Sequence, residues 1–231
     1  MDFLTKLNSE QRRAVEQTNG SLLILAGAGS GKTRVISYRM AYLIAEGHAE
    51  PEQLLAVTFT NKAAQEMRDR VVGLLADDGC RLWICTFHSL CARLLRREGP
   101  LMGLPRDFVI YDSSDQLAVV RKALRELDID DKLLSSRQAL SLISQVKNQS
   151  LDLKKLDEEW GARGRLTATL YERYMTALHT ANALDFDDLL LRTVELLETV
   201  ESVRLRYARQ FRFIMVDEYQ DTNQPQYHLI R

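Results

Sequence analysis

The sequence predicts an α/β protein in which helices flank a parallel sheet and an all-helical segment is inserted between the strands. Short apolar runs at residues 22–26, 54–59 and 213–216 are each followed by glycine or polar residues. Continuous apolar strands of this kind are typical of a parallel sheet that is covered on both faces. Residues 100–183 instead have helical periodicity, and they separate the second and third of these runs.

Bulk composition excludes several classes of protein. The chain has 231 residues, of which 45% are hydrophobic and 27% charged, so it can bury a sizeable core. A net charge of -1 gives no overall attraction to nucleic acid or membrane, so such binding must be local. The apolar run 22–26 is too short to span a bilayer. The first residues show no secretory pattern, and we expect a cytoplasmic protein with no membrane partner.

Metal binding by cysteine is also disfavoured. The three cysteines, Cys80, Cys85 and Cys91, are odd in number and lie in apolar surroundings, which indicates free buried thiols. His88 lies between two of them, but the spacing matches no zinc pattern.

A phosphate-binding loop is predicted between the first strand and the helix that follows it. Residues 26–33 read Ala-Gly-Ala-Gly-Ser-Gly-Lys-Thr, and Ala26 stands where the usual pattern opens with glycine. Backbone N–H groups of such a turn point at phosphate oxygens, and the helix dipole adds to them. Lys32 is expected to reach the β- and γ-phosphates, and the Thr33 hydroxyl to ligate Mg²⁺. A dinucleotide fingerprint starting at Gly27 fails because its last position is Lys32.

A helix is predicted to begin near Asn8, ahead of this loop. Asn8 and Gln11 have capping-box spacing, which favours a structural role for Gln11. The alternative is that the Gln11 amide, which is both donor and acceptor, reads an adenine edge. After the loop, apolar residues at helical spacing predict a second helix that ends near Gly47.

Polar and aromatic residues follow the next two predicted strands. The strand at 54–59 leads into a helix at about 63–76, and a third strand is predicted at 81–86. Open α/β sheets bind ligands at the carboxyl ends of their strands. The residues there could hold backbone phosphates and stack a base, or could equally be core and N-cap residues. They are Thr58, Phe59, Thr60, Asn61 and Lys62 after one strand, and Thr86, Phe87 and His88 after the other.

The middle of the chain is predicted to be helical. Helical patterns cover residues 117–127, 137–147, 154–160 and 166–183, with a short strand possible at 109–111. Ser113 and Gln116 have capping-box spacing ahead of the first of these helices. Asp185, Asp187 and Asp188 begin a further helix, where acidic residues complement the dipole, so capping is their default explanation.

A second catalytic element follows the last apolar strand. Asp217 and Glu218 come directly after residues 213–216, where a phosphate-loop ATPase needs carboxylates opposite its lysine. Asp217 would hold Mg²⁺ and Glu218 would orient and deprotonate the attacking water. Gln220 lies where it could sense the γ-phosphate or couple to a neighbouring domain. About 185 residues separate the loop from this strand, which is far more than a crossover needs and supports an insertion.

Together these motifs resemble the UvrD/Rep/PcrA family of superfamily one DNA helicases. The motifs occur in family order at residues 26–34, 56–64, 86–88, 184–188 and 216–222. The resemblance implies a RecA-like sheet formed by residues 1–88 and 208–231, with a helical subdomain at 89–207 inserted into it. It also implies 3′ to 5′ translocation on single-stranded DNA and duplex separation in DNA repair or replication, with ATP and Mg²⁺ as cofactors.

The resemblance assigns individual residues. Gln11 matches the family's adenine-reading glutamine, which overrides the preference for a cap alone, and Arg34 matches an arginine that packs on the adenine. The 58–62 and 86–88 segments match two single-strand-binding motifs, with Phe59 in the base-stacking position. The nucleotide-binding set is Gln11, Ala26, Gly27, Ala28, Gly29, Ser30, Gly31, Lys32, Thr33 and Arg34. The catalytic set is Lys32, Asp217, Glu218 and Gln220, and the metal ligands are Thr33 and Asp217.

Members of the family continue with a second RecA-like domain, which is therefore an expected partner of this chain. Because that domain supplies transition-state arginines, commonly worth ~10³-fold or more, we expect these 231 residues alone to hydrolyse ATP poorly and not to unwind DNA. One alternative is a nucleotide- or DNA-binding module without turnover. Another is a different phosphate-loop enzyme, such as a small-molecule kinase.

Overall fold

Two compact units make up the structure, a computed structural model that describes residues 2–27, 29–77, 81–130, 132–149 and 151–231. The first unit comprises residues 1–90 and 202–222, and the second comprises residues 91–201 and 223–231. The predicted domain bounds, 1–88 with 208–231 and 89–207, stay a prediction. No helix among the described residues is long and apolar enough to cross a membrane.

Helices dominate the described part of the chain. The helices are α1 (Ser9–Glu16), α2 (Lys32–Ala45), α3 (Asn61–Leu75), α4 (Phe87–Glu98), α5 (Ser113–Glu126), α6 (Ser136–Asn148), α7 (Leu156–Trp160), α8 (Ala162–Thr180), α9 (Phe186–Thr199), α10 (Glu201–Gln210) and α11 (Gln224–Ile230). The strands are β1 (Leu54–Thr58), β2 (Trp83–Thr86), β3 (Val109–Ile110), β4 (Ala183–Leu184) and β5 (Phe213–Val216).

A three-stranded parallel sheet forms the centre of the first unit. Its order is β2-β1-β5, with Ala56 opposite Ile84 on one side and opposite Met215 on the other. All five residues of β1 are buried, and α2 and α3 pack against each other beside the sheet. The core beneath these helices is aliphatic and includes Met40, Leu43, Leu54, Met67, Val71 and Ile84. The predicted α/β fold with helices flanking a parallel sheet is confirmed.

The prediction of a strand at residues 22–26 is wrong. These residues form no regular element and pair with no strand of the described sheet, and Leu23 and Leu25 are 67% and 86% exposed. Only Ile24 packs into the small core of Val15 and Val35 that joins α1 to α2. An apolar run becomes a strand only when a neighbouring strand satisfies its backbone groups, and the run itself does not specify that neighbour.

The second unit is helical apart from one short strand pair. Its core lies among α5, α6 and α8 and includes Val120, Leu142, Ile143, Leu170, Tyr174 and Leu178. β3 and β4 pair in parallel, with Val109 opposite Ala183 and Ile110 opposite Leu184, so the expectation of an all-helical segment is corrected. The pair satisfies backbone groups between helices, since the N–H of Val109 donates to the carbonyl of Asn182.

A buried ionic cluster ties α6, α8 and α9 together. Lys147 Nζ donates to Asp185 Oδ2 and to Asp188 Oδ1, both at 2.7 Å, and Tyr174 Oη donates to Asp185 at 2.9 Å. Asp185 also caps α9 by accepting the N–H of Asp188, which confirms the predicted capping role. Burial raises the pKa of Asp188, which Lys147 opposes. For Lys147, burial lowers the pKa but the two carboxylates outweigh it and raise it.

Removing the cation of this cluster should destabilise the protein strongly. Lys147→Met keeps an apolar stem of similar length but leaves two carboxylates buried without their partner, so we expect the free energy of unfolding to fall by about 3–5 kcal/mol. Denaturant unfolding measures this change. The matched control is Lys122→Met, because Lys122 forms an exposed pair with Glu126 and should cost less than about 1 kcal/mol. Equal effects of the two substitutions would contradict a stabilising role for the cluster.

Candidate functional site

The carboxyl ends of β1, β2 and β5 meet at one edge of the first unit's sheet. Because the three strands are parallel and adjacent, their last residues, Thr58, Thr86 and Val216, point the following segments to the same side. The N–H of Asp217 continues the ladder by donating to the carbonyl of Val57 at 2.9 Å. The polar residues that the sequence predicts for a functional site therefore emerge from neighbouring positions.

The predicted phosphate loop leads directly into α2. Gly29 and Gly31 have φ of 76° and 89°, a left-handed conformation that side chains other than glycine rarely adopt. Gly31 is the N-cap of α2, so the first N–H groups of that helix open toward the loop. Ser30 Oγ closes the turn by donating to the carbonyl of Gly27 at 2.7 Å. Ala28 lies outside the described residues.

Lys32 interacts with the loop that precedes it. Its Nζ donates to the carbonyl of Ala26 at 3.0 Å and to that of Gly27 at 3.3 Å. These two carbonyls hold the ammonium near the N-terminal end of the loop. To contact a phosphate group, Lys32 would exchange these neutral acceptors for charged oxygens, which form stronger hydrogen bonds with an ammonium.

Thr33 and Asp217 meet although they are separated by 184 residues. Thr33 Oγ1 donates to Asp217 Oδ2 at 2.9 Å, and Asp217 is only 4% exposed. Its other oxygen, Oδ1, is buried and accepts no hydrogen bond among the described residues. Burial raises the pKa of Asp217, while the Thr33 hydrogen bond opposes the rise. An unpaired buried carboxylate oxygen costs free energy, which a cation would recover.

The donor set of this pair fits magnesium. Mg²⁺ prefers oxygen ligands and is usually held by one or two protein groups together with phosphate and water. Thr33 Oγ1 and Asp217 provide those oxygens beside the phosphate loop. Within the described ranges, no group of three or more His, Cys, Asp or Glu side chains could hold a metal ion by itself. Cys80, considered above for zinc, lies outside those ranges.

Glu218 has an unusual backbone conformation next to Asp217. Its φ of 52° and ψ of 48° are left-handed, which is uncommon for a residue with a side chain. Glu218 is half-buried, and its Oε2 accepts a hydrogen bond from Gln220 Nε2. Backbone strain of this kind persists where surrounding structure enforces it and is frequent at active sites. The left-handed backbone of Glu218 therefore directs its side chain differently from that of a residue that continues β5.

Gln11 performs the capping role and also contacts the phosphate loop. Its Oε1 accepts the N–H of Asn8 and its own N–H donates to Asn8 Oδ1, which completes the predicted capping box. Its Nε2 donates to the carbonyl of Ser30 at 3.0 Å, a contact that helical spacing cannot reveal. The Gln11 side chain therefore joins the start of α1 to the phosphate loop.

Arg34 lies beside the same segment. Its Nη2 donates to the carbonyl of Lys6 at 2.7 Å, and its guanidinium stacks over the ring of Tyr38 with 5.0 Å to the ring centroid. Tyr38 was not among the predicted site residues. It follows Arg34 by four positions on a helix, the spacing at which side chains meet, so the pattern to find it was present in the sequence.

A second group of predicted residues lies at the ends of β1 and β2. The rings of Phe59 and Phe87 pack with centroids 5.7 Å apart. Phe59 is half-buried, whereas Phe87 is 1% exposed and supports the ring of Phe59 from below. Of the others, Thr58 and Thr86 are buried, His88 is half-buried, and Thr60, Asn61 and Lys62 are exposed.

Hydroxyl groups fix the turns on either side of these rings. Thr60 caps α3 by accepting the N–H of Ala63, and Thr86 Oγ1 donates to Ser89 Oγ at 2.8 Å. Both interpretations of this group left open by the sequence therefore have support, since Thr60 is an N-cap and Phe59 retains an accessible face. Ser89 is an exposed hydroxyl that the prediction left out, and its position after Phe87 and His88 was the available signal.

The family described as the UvrD/REP helicase N-terminal domain matches residues 7–231. The chain is 44% identical over 230 residues to the ATP-dependent DNA helicase PcrA of Bacillus subtilis strain 168, covering 99% of this chain and 31% of that protein. It is 45% identical over 232 residues to the ATP-dependent DNA helicase PcrA of Staphylococcus aureus strain Mu50, covering 99% and 32%. The chain therefore spans about a third of the length of these relatives.

A methyl group at Gly31 should disrupt the loop. Gly31→Ala would place an alanine in the left-handed backbone region, and its Cβ would lie 3.0 Å from Gln11 Nε2. We therefore expect the free energy of unfolding to fall by about 1–2 kcal/mol. The matched control is Gly73→Ala, since Gly73 lies within α3 where a Cβ meets nothing within 4 Å. That change should stabilise the protein by up to about 1 kcal/mol. Denaturant melts of both variants check this, and a neutral Gly31→Ala would refute the described loop conformation.

Proposed function

Because the chain belongs to the UvrD/REP helicase N-terminal domain family, we propose that it is the N-terminal ATP-binding motor domain of a DNA helicase. The whole protein would translocate 3′ to 5′ on single-stranded DNA and separate duplexes in DNA repair or replication. The observation that carries the proposal is the contact of Thr33 with a buried Asp217, which joins the phosphate loop to the carboxylate pair after β5. The names of the PcrA relatives support the same activity.

The nucleotide site is proposed to work through residues of the first unit. Lys32 and the N–H groups at the start of α2 bind the β- and γ-phosphates of ATP. Thr33 and Asp217 hold Mg²⁺, which when bound supplies neutralisation of phosphate charge. Glu218 accepts a proton from the attacking water. Gln220, which donates a hydrogen bond to Glu218, orients the Glu218 carboxylate and senses the γ-phosphate. Gln11 reads the adenine edge, and Arg34 packs on its face.

Single-stranded DNA is the proposed polymer substrate. Phe59 offers a half-buried ring for sequence-independent stacking, and Phe87 stiffens that ring from within the core. Thr60, Asn61 and Lys62 are exposed at the start of α3, where hydroxyl, amide and ammonium groups can bind backbone phosphates. Thr58, Thr86 and His88 would complete the contact region. This local arrangement would allow a chain of net charge -1 to bind DNA.

We propose that this chain has the domain architecture that the family resemblance implies. Residues 1–88 and 208–231 would form the RecA-like domain, and residues 89–207 its inserted helical subdomain. A second RecA-like domain is the proposed partner across the ATP site. Since this chain matches only 31% of the B. subtilis relative, unwinding is proposed for a longer protein, and these 231 residues should turn over ATP slowly.

Three substitutions should separate nucleotide binding from hydrolysis. Lys32→Ala should weaken ATP binding about tenfold or more by removing a charge-assisted contact. Asp217→Asn should abolish the contribution of Mg²⁺ to that binding. Glu218→Gln should keep binding but slow single-turnover hydrolysis by about a hundredfold, the usual effect of a general base. Calorimetry and phosphate release under single-turnover conditions measure these effects.

Glu126→Gln is the matched control, because it makes the same chemical change as Glu218→Gln at a charged pair on the surface of the second unit. It should leave both quantities unchanged. Binding of ATP without any turnover, in a longer protein as well, would instead favour the nucleotide-binding module. Phosphate transfer to a metabolite would favour a kinase.

Loss of the Phe59 ring should weaken DNA binding. Phe59→Ala removes one stacking platform, so we expect affinity for oligo-dT to fall by about tenfold, within the range of one to three kcal/mol per stacked base. Fluorescence anisotropy with a labelled oligonucleotide measures it. Tyr227→Ala is the control, because Tyr227 is an exposed aromatic ring on α11 of the second unit. Equal affinities of Phe59→Ala and the unmodified chain would remove Phe59 from the DNA site.

A further inference from the structure

Arg39 is a buried arginine in the second half of α2, and its guanidinium donates a hydrogen bond to the backbone of α1. It is 9% exposed, and its Nη1 donates to the carbonyl of Ala14 at 2.7 Å. Burial lowers the pKa of Arg39, but arginine starts from so high a value that the group stays charged at neutral pH. Burying a guanidinium is costly, and the hydrogen bond to the carbonyl of Ala14 offsets part of that cost.

The acceptor of this hydrogen bond lies at the end of α1. The helix covers Ser9–Glu16, so the carbonyl of Ala14 is among the last four, which have no partner within the helix. Arg39 satisfies that carbonyl and places a positive charge at the negative end of the helix dipole. A helix of eight residues is marginal by itself, so its position depends on such contacts and on the buried side chain of Val15.

The opposite end of α1 carries the contact with the phosphate loop. Gln11 accepts the N–H of Asn8 and donates to the carbonyl of Ser30 at 3.0 Å. Gln11 is only three positions, about 4.5 Å of helix rise, from Ala14, whose carbonyl accepts the hydrogen bond from Arg39. A shift or rotation of α1 that follows the loss of Arg39 would therefore move the Gln11 amide away from the loop.

We propose that Arg39 is a positioning residue for nucleobase recognition, which it supports by holding α1 so that Gln11 faces the base. This inference rests on the proposed adenine-reading function of Gln11. Arg39 itself touches no part of the nucleotide. We expect a larger effect on the base than on the phosphates, because the proposed phosphate-binding groups lie in the loop and α2, whereas the Gln11 amide lies in α1.

The test is the preference for ATP over GTP, measured as the ratio of their dissociation constants. Arg39→Met keeps the apolar stem but removes the donor, so the preference should fall by about fivefold, in line with one lost polar contact. Arg39→Lys, which keeps a charged donor, should recover most of the preference. Arg12→Leu is the matched control, because Arg12 lies exposed on α1 in a pair with Glu16, and it should retain the full ratio.

A double-variant cycle separates this inference from the proposal on which it rests. Gln11→Ala should lower the preference, and adding Arg39→Met to it should lower the preference no further. An unchanged ratio in Arg39→Met, or independent effects in the double variant, would overturn the role of Arg39. If Gln11→Ala has no effect on the ratio, the adenine-reading function of Gln11 fails instead, and the positioning role of Arg39 fails with it.

A thermal melt accompanies each variant, because general destabilisation shifts the melting temperature without changing the ratio between two nucleotides. Should Arg39→Met not fold, Arg39→Leu, with a shorter side chain that has no donor, carries the same test. It should show the same fall in preference, and a ratio equal to that of the unmodified chain would contradict the proposal.

Discussion

Parallel pairing of β1 with both β2 and β5 is the constraint on which the site depends. The pairing sets the register of three strands that are far apart in sequence, so that residues after 58, 86 and 216 leave the sheet at one edge. The Thr33–Asp217 hydrogen bond then attaches the start of α2 to that edge across 184 residues. Both sets of predicted site residues, around the phosphate loop and around Phe59, follow from this arrangement.

Local patterns were sufficient to predict much of the fold. The strand at 213–216 occurs as predicted, and α6 begins and ends within one residue of the predicted 137–147. These elements have strong periodicity and clear ends. The cap of α5 differs by one residue, because Asp112 and Asp115 form the capping box in place of Ser113 and Gln116. Both pairs have the required spacing, but Asp112 Oδ1 accepts two N–H groups at once, those of Ser114 and Asp115.

Features that depend on a distant partner could not be predicted where no motif identifies that partner. The run at 22–26 has the composition of a strand but lacks a pairing partner, so it remains irregular. The carboxylates at 185 and 188 could be predicted as helix-capping groups, but Lys147, some forty residues earlier, was not predicted as their partner. Gln11 illustrates both kinds of information, since its capping bond is local and its bond to Ser30 is not.

The two buried cations described above, Lys147 and Arg39, have different kinds of partner. Lys147 is neutralised by two carboxylates and joins three helices of the second unit. Arg39 has a backbone carbonyl as its partner and acts on one short helix beside the phosphate loop. Strong pairing suits a structural cluster, whereas a single contact at a helix end can set the position of a functional side chain.

The most direct test of the central claim is a crystal structure of the chain with Mg²⁺ and a non-hydrolysable ATP analogue. We predict that the phosphates accept hydrogen bonds from the N–H groups of Gly31 and Lys32. The Lys32 ammonium should no longer contact the carbonyls of Ala26 and Gly27. Mg²⁺ should lie about 2.1 Å from Thr33 Oγ1 and on the side of Asp217 that is unpaired in the described structure. A nucleotide bound elsewhere, or phosphates at the loop with Thr33 and Asp217 uninvolved, would contradict it.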